Sequence, residues 1–306
     1  MTSIASKLRR ATASIPFLLV AAWCLEAMDL NKIVETAKPS ADSGFIRWDD
    51  KEVKILDNFH GVQFLDDLWR GGMATFSTSS FGYDPIGRWQ FFSFLVDLGP
   101  FYAIWILEST RGANSWTPAY MYRHALLVPL VLVLHTAVVF GMFFAPTLES
   151  RHYWAWAWEL VPMWIGIGNI LGGQAIRLLG VKRRISASPR LMLVGLGLIS
   201  LGVWGYTLLY SPYSIGTLFF PEAGPQPGLV LHTRKTFQSD EVGLCVATFL
   251  WLVYSYLDLY IAGLVGISSL LFAMLLPIVA VCIGPGATFV LGWYARERVF
   301  DSIKKD

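Results

Sequence analysis

Asp97 and Glu108 are the residues with most to say about chemistry. Asp97 lies in WQFFSFLVDLGPFYAIWILES, a run that otherwise reads as a membrane-spanning helix. A carboxylate at that depth costs at least ~2.5 kcal/mol, so it must face a polar cavity, find a partner or handle protons. Eleven residues at ~100° each return to within about 20°, which puts Glu108 on nearly the same helical face. A carboxyl group kept from water and counter-charge holds its proton, the state that a general acid needs. Glu108 has a plainer reading as well, because Arg111 three residues on could pair with it.

Three further groups sit in apolar runs. Glu159, in WAWAWELVPMW, stands among Trp154, Trp156, Trp158 and Trp164. This is either a tryptophan belt with one acid at headgroup level or a pocket where ring faces stabilise positive charge. His135 stands alone in LVLVLHTAVVF, the usual pattern of an interhelical hydrogen bonder. Asp258 is flanked by Tyr254, Tyr256 and Tyr260, which could satisfy it locally. Asp66-Asp67 resembles half of an aspartate-rich magnesium motif. Without a third carboxylate, and with Arg70 following, it lacks the grip of a hard-cation site.

The five histidines show no i, i+3 or i, i+4 pair, and no Cys/His spacing suits zinc, so no metal is expected. No GxGxxG opens a strand–helix unit, and no Walker or GxSxG motif occurs, so no cofactor is expected either. The cysteines, Cys24, Cys245 and Cys282, read as packing residues.

These groups must be positioned by helices in a bilayer. The chain of 306 residues is 55% hydrophobic and 15% charged, against about 25% charged in soluble domains. A net charge of +2 gives no reason to expect a nucleic-acid partner. The reading is one all-α polytopic domain over 1–306 with about seven spans, near 14–31, 90–110, 124–145, 153–175, 190–210, 242–262 and 265–294. Each reaches the ~20 residues that a crossing needs. Pro277 and Gly284-Pro285-Gly286 should kink or break the last. Ile55, Phe59, Val62 and Leu65 suggest a short interfacial amphipathic helix before the second span. The connection 211–240, with four prolines, reads as loop. Basic residues near the first span and in VKRR at 181–184 suggest that both are cytoplasmic.

Three stretches carry a resemblance: N-F-H-G-V-x-x-L-D at 58–66, D-P-x-x-R-W-Q-x-x-x-F-L-x-D-L-G at 84–99, and I-L-E-S-T-R at 106–111. Together, over roughly 58–125, they resemble the fungal integral-membrane terpene cyclases of meroterpenoid pathways, of the ascochlorin/ascofuranone type. The resemblance implies metal-independent, non-redox chemistry on a lipophilic prenylated aromatic: a terminal epoxide is protonated and the cation cyclises. It implies catalytic acids among Asp97, Glu108 and Glu159. Substrate contacts would come from Trp89, Tyr102, Trp105, Trp164, Asn58, Asp66 and Asp258, and residence from the endoplasmic reticulum membrane. A proton-coupled transporter or a sterol-isomerase-like enzyme would also bury carboxylates, although no internal repeat supports the transporter.

Overall fold

The computed structural model describes residues 4–56, 60–108, 128–179 and 189–303. Its elements in order are α1 (Ile4–Met28), α2 (Leu30–Ser43), β1 (Phe45–Trp48), β2 (Lys51–Lys54), α3 (Gln63–Ser80), α4 (Pro85–Glu108), α5 (Val128–Phe144), α6 (Leu148–Glu159), α7 (Val161–Leu178), α8 (Pro189–Tyr210), α9 (Ile215–Phe219), α10 (Gly228–Ile261), α11 (Ile267–Ile283) and α12 (Pro285–Ile303).

Helix α4 is the axis of the bundle. Pro85 takes its first turn, where a missing N–H costs nothing. Apolar side chains then run right round the helix, so it buries every face. Helices α3, α5, α8, α10 and α12 pack about it. A bidentate ion pair fixes its start: Arg234 of α10 donates to the buried Asp84 through Nε at 3.0 Å and Nη2 at 2.5 Å.

Among the described residues four helical stretches are long and apolar enough to cross a membrane, not seven: Thr12–Ser43, Pro85–Glu108, Arg190–Tyr210 and Gly228–Ile261. The differences have local causes. Near 124–145 the described helix has 17 residues, about 26 Å at 1.5 Å each, short of a ~30 Å core. The stretch 153–175 divides at Leu160, where α6 ends and α7 begins. The last run divides at Gly284, whose φ of +89° ends α11 before Pro285 starts α12.

Two other expectations change. The amphipathic helix expected before the second span starts at Gln63 rather than at Ile55, and Phe59 lies outside the described residues. Phe45–Lys54 folds as an antiparallel hairpin with Trp48 opposite Lys51. The 211–240 connection holds α9 and the first third of α10, because its charged residues are used inside the fold. The VKRR cluster and Arg111 lie outside the described residues.

Candidate functional site

A cavity of about 770 Å³ opens between α2, α3, α4, α6 and α10. That is within the size range of small-molecule sites. Ile33, Val34 and Ala37 roof it, Gly72 and Phe76 form one wall, and Phe91, Phe94, Tyr102 and Trp105 form another. Trp158, Phe237 and Asp240 complete it. Phe76, Phe91 and Phe237, from three helices, lie nearly parallel, with interplanar angles of 7–15° and the closest centroids 4.0 Å apart.

Asp240 is the polar feature of this wall that the sequence reading missed. Its carboxylate accepts no side-chain hydrogen bond among the described residues, and Tyr102 lies within its electrostatic reach. The only signal was a DE pair at 240–241, and it falls where the chain reads as a loop. Glu159, the last residue of α6, lies behind Gly72. A Cβ added at Gly72 would meet its two carboxyl oxygens at 3.0 and 3.1 Å. Burial pushes the Glu159 carboxyl well above the usual carboxylate range, and its Oε1 has no hydrogen-bond partner.

The other sequence-chosen residues disperse. Asp97 is buried where α4, α8 and α12 cross, away from the cavity lining. Ser200 Oγ donates to its Oδ1 at 2.5 Å, the Gly286 N–H also binds it, and Ala287 N–H donates to Ser200 Oγ at 2.9 Å. Glu108 faces α12, where Trp293 Nε1 and Arg296 Nη1 donate to its Oε1 at 2.7 and 3.1 Å. Asp97 and Glu108 thus share a helix face, as their spacing predicts, but not a cavity.

Asp66 holds a strut rather than an open position. It accepts from the backbone N–H of His60 at 3.0 Å and lies 2.7 Å from His60 Nδ1, while Trp156 Nε1 donates to His60 Nε2 at 3.0 Å. Trp89 packs on Tyr206. Asp258 is exposed. His135 Nε2 donates to the Leu95 carbonyl at 2.6 Å, an interhelical bond. Of the expected aromatic walls, Tyr102 and Trp105 line the cavity. Asn58 and the Trp164 side chain lie outside the described residues. Among the described residues, no three His, Cys, Asp or Glu side chains group as metal ligands.

Comparison with known proteins changes the functional reading. The chain is 24% identical over 349 aligned positions to the FAD-dependent monooxygenase verC1 of Penicillium polonicum, covering 96% of this chain and 43% of that protein. It is 26% identical over 306 positions to the FAD-dependent monooxygenase anuJ of Penicillium roqueforti (strain FM164), covering 81% of this chain and 36% of that one. The chain therefore spans less than half the length of either relative. No family profile and no solved structure matches. The relatives' redox names overturn the expected non-redox terpene cyclase, and with it the epoxide-protonating function and the family assignment.

The described residues do not fit FAD itself. Its diphosphate needs clustered backbone N–H donors or unpaired cations. The large cavity instead presents Asp67 and Asp240, and its one cation, Lys38, is paired with Asp42 at 2.8 Å. A cavity of about 270 Å³ beside Arg234 and Lys235 is too small, and Asp84 already neutralises that arginine. The only sheet among the described residues is the hairpin, so no parallel strand leads into a helix there.

Proposed function

We propose that this chain is the membrane-embedded, substrate-holding part of an FAD-dependent monooxygenase system, with the flavin carried outside the residues described. The observation that carries this reading is the extent of the match. Nearly the whole chain aligns with one relative, yet more than half of that relative is left over. The cavity chemistry agrees with the division of labour, since its walls favour an apolar aromatic guest and disfavour a diphosphate.

In this reading the guest is a lipophilic phenol or a similar aromatic with one hydrogen-bond donor. It dissolves in the bilayer, which concentrates it beside the helices. The Phe76, Phe91 and Phe237 rings hold its flat body, since aromatic contacts add about 0.5–1.5 kcal/mol beyond area burial. Asp240 and Tyr102 fix its polar end, and the apolar roof of α2 keeps water out. We place the protein in the endoplasmic reticulum membrane, a reading supported by four described helical stretches long and apolar enough to cross a bilayer.

The test is reconstitution. Membranes holding this chain are combined with the segment of the Penicillium polonicum relative that it does not match, plus reductant and a panel of lipophilic phenols. The expected product carries one added oxygen atom and forms only when both parts are present. Stoichiometric flavin on the purified chain alone, or full activity of the other segment alone, would refute the proposal.

A further inference from the structure

A second cavity, of about 450 Å³, lies on the other side of α10 and is almost wholly apolar. Leu250, Phe249 and Val253 of α10 face Trp204 of α8 and Pro277 of α11 across it. One charged side chain reaches it. Glu241 follows Asp240 in sequence, and a step of ~100° about the helix axis turns it to this side. Gln90 Nε2 donates to Glu241 Oε2 at 2.7 Å, and both residues are buried. Glu241 Oε1 accepts no hydrogen bond from any described side chain. The cavity rim includes Phe220, Val246 and Val281, all exposed apolar residues whose surroundings in a membrane are lipid tails.

From this geometry we infer that the second cavity is a binding site for a neutral lipophilic alcohol, whose hydroxyl donates to Glu241 while its hydrocarbon fills the apolar walls. The choice of a neutral donor follows from the surroundings. A carboxylate ligand would have to leave water for an apolar chamber that offers it no cation. An ammonium ligand would have to shed its hydration in a chamber with nothing but that one acid to replace it. An alkane would leave Oε1 unsatisfied, and a buried acceptor without a donor is costly. Hydrocarbon on the rim means that the ligand arrives through the bilayer rather than from water. This site is independent of the larger cavity and of the proposed oxygenation role.

Cys245, one turn after Glu241 and a free thiol, lines the same chamber and reports on its occupancy. The purified full chain in lipid nanodiscs is treated with a lipophilic maleimide, and modification is followed peptide by peptide, with exposed Cys282 as the internal standard. Dodecanol should protect Cys245 at about a fivefold lower concentration than dodecane, the ratio expected for one net hydrogen bond. Glu241→Leu should erase that ratio without changing Cys282. Val246→Trp, which plugs the rim without touching the carboxyl group, should remove protection by dodecanol altogether. Equal protection by dodecanol and dodecane would make the chamber a crevice for lipid chains and overturn the proposal. So would stronger protection by dodecylamine, or an unchanged ratio in Glu241→Leu.

Discussion

Asp97 and Asp240 are both acids on long apolar helices, and their settings are opposite. Asp97 sits in a closed crossing, where Ser200 and the Gly286 N–H hold it, and it lines neither of the two cavities described above. Asp240 sits on a cavity wall with no side-chain donor among the described residues to hold it. The depth of a charge therefore tells less than the space in front of it. Asp97, held through Oδ1 while its buried Oδ2 has no partner among the described residues, reads as a packing device that fixes how three helices meet. A carboxylate that faces open volume is the better candidate for a guest.

The sharpest way to break this contrast is at the crossing. A Cβ at Gly286 would lie 2.7 Å from Asp97 Oδ1 and 3.1 Å from its backbone Cα. Backbone cannot swing aside, so Gly286→Ala should lower stability by about 3 kcal/mol, read as detergent-phase thermal unfolding. A comparable effect should come from pH at a site outside both regions. His152 is buried with neither ring nitrogen bonded, and burial lowers its pKa to about 4. The unfolded chain takes up this proton near pH 6.5 and the folded chain only near 4, so stability falls as pH drops through that window. The loss is about 3 kcal/mol when complete, and His152→Phe should remove it, measured as unfolding midpoints between pH 7 and 4.

Smaller effects sharpen the contrast. Asp97→Asn should cost about 1–2 kcal/mol by weakening its hydrogen bonds, and should leave the affinity for a lipophilic phenol unchanged. Asp240→Leu should do the reverse: stability within about 0.5 kcal/mol of the parent, but roughly fivefold weaker phenol binding, followed by quenching of the fluorescence of Trp105 and Trp158. If Asp97→Asn weakens binding more than Asp240→Leu does, the two acids have been assigned the wrong way round.

Part of this was legible in the sequence. The apolar run that makes α4 the central helix is plain, and Gly284-Pro285 announces the division of the last hydrophobic stretch, because proline cannot continue a helix that a left-handed glycine has ended. Tyr102 and Trp105 could be placed on a helix bearing a buried acid. What stayed hidden depends on distant partners. Residues 228–240 read as part of a proline-bearing loop, yet Arg234 finds Asp84 150 positions away, and just past that stretch Glu241 finds Gln90 151 positions away. The end of α6 at Leu160 follows a tryptophan-rich run without glycine, and Pro162, two residues on, is the local mark that the reading of one span over 153–175 passed over. Nor does any motif in the chain carry the redox association, which enters only through relatives that extend well past the match.

The near-parallel Phe76, Phe91 and Phe237 rings have a magnetic consequence. Circulating π-electrons shield whatever lies above an aromatic face, and here three helices aim such faces in one direction. A flat ligand that continues the stack has its ring protons in that shielded zone, so its proton resonances move upfield on binding. Guests that merely dissolve in the surrounding lipid keep theirs.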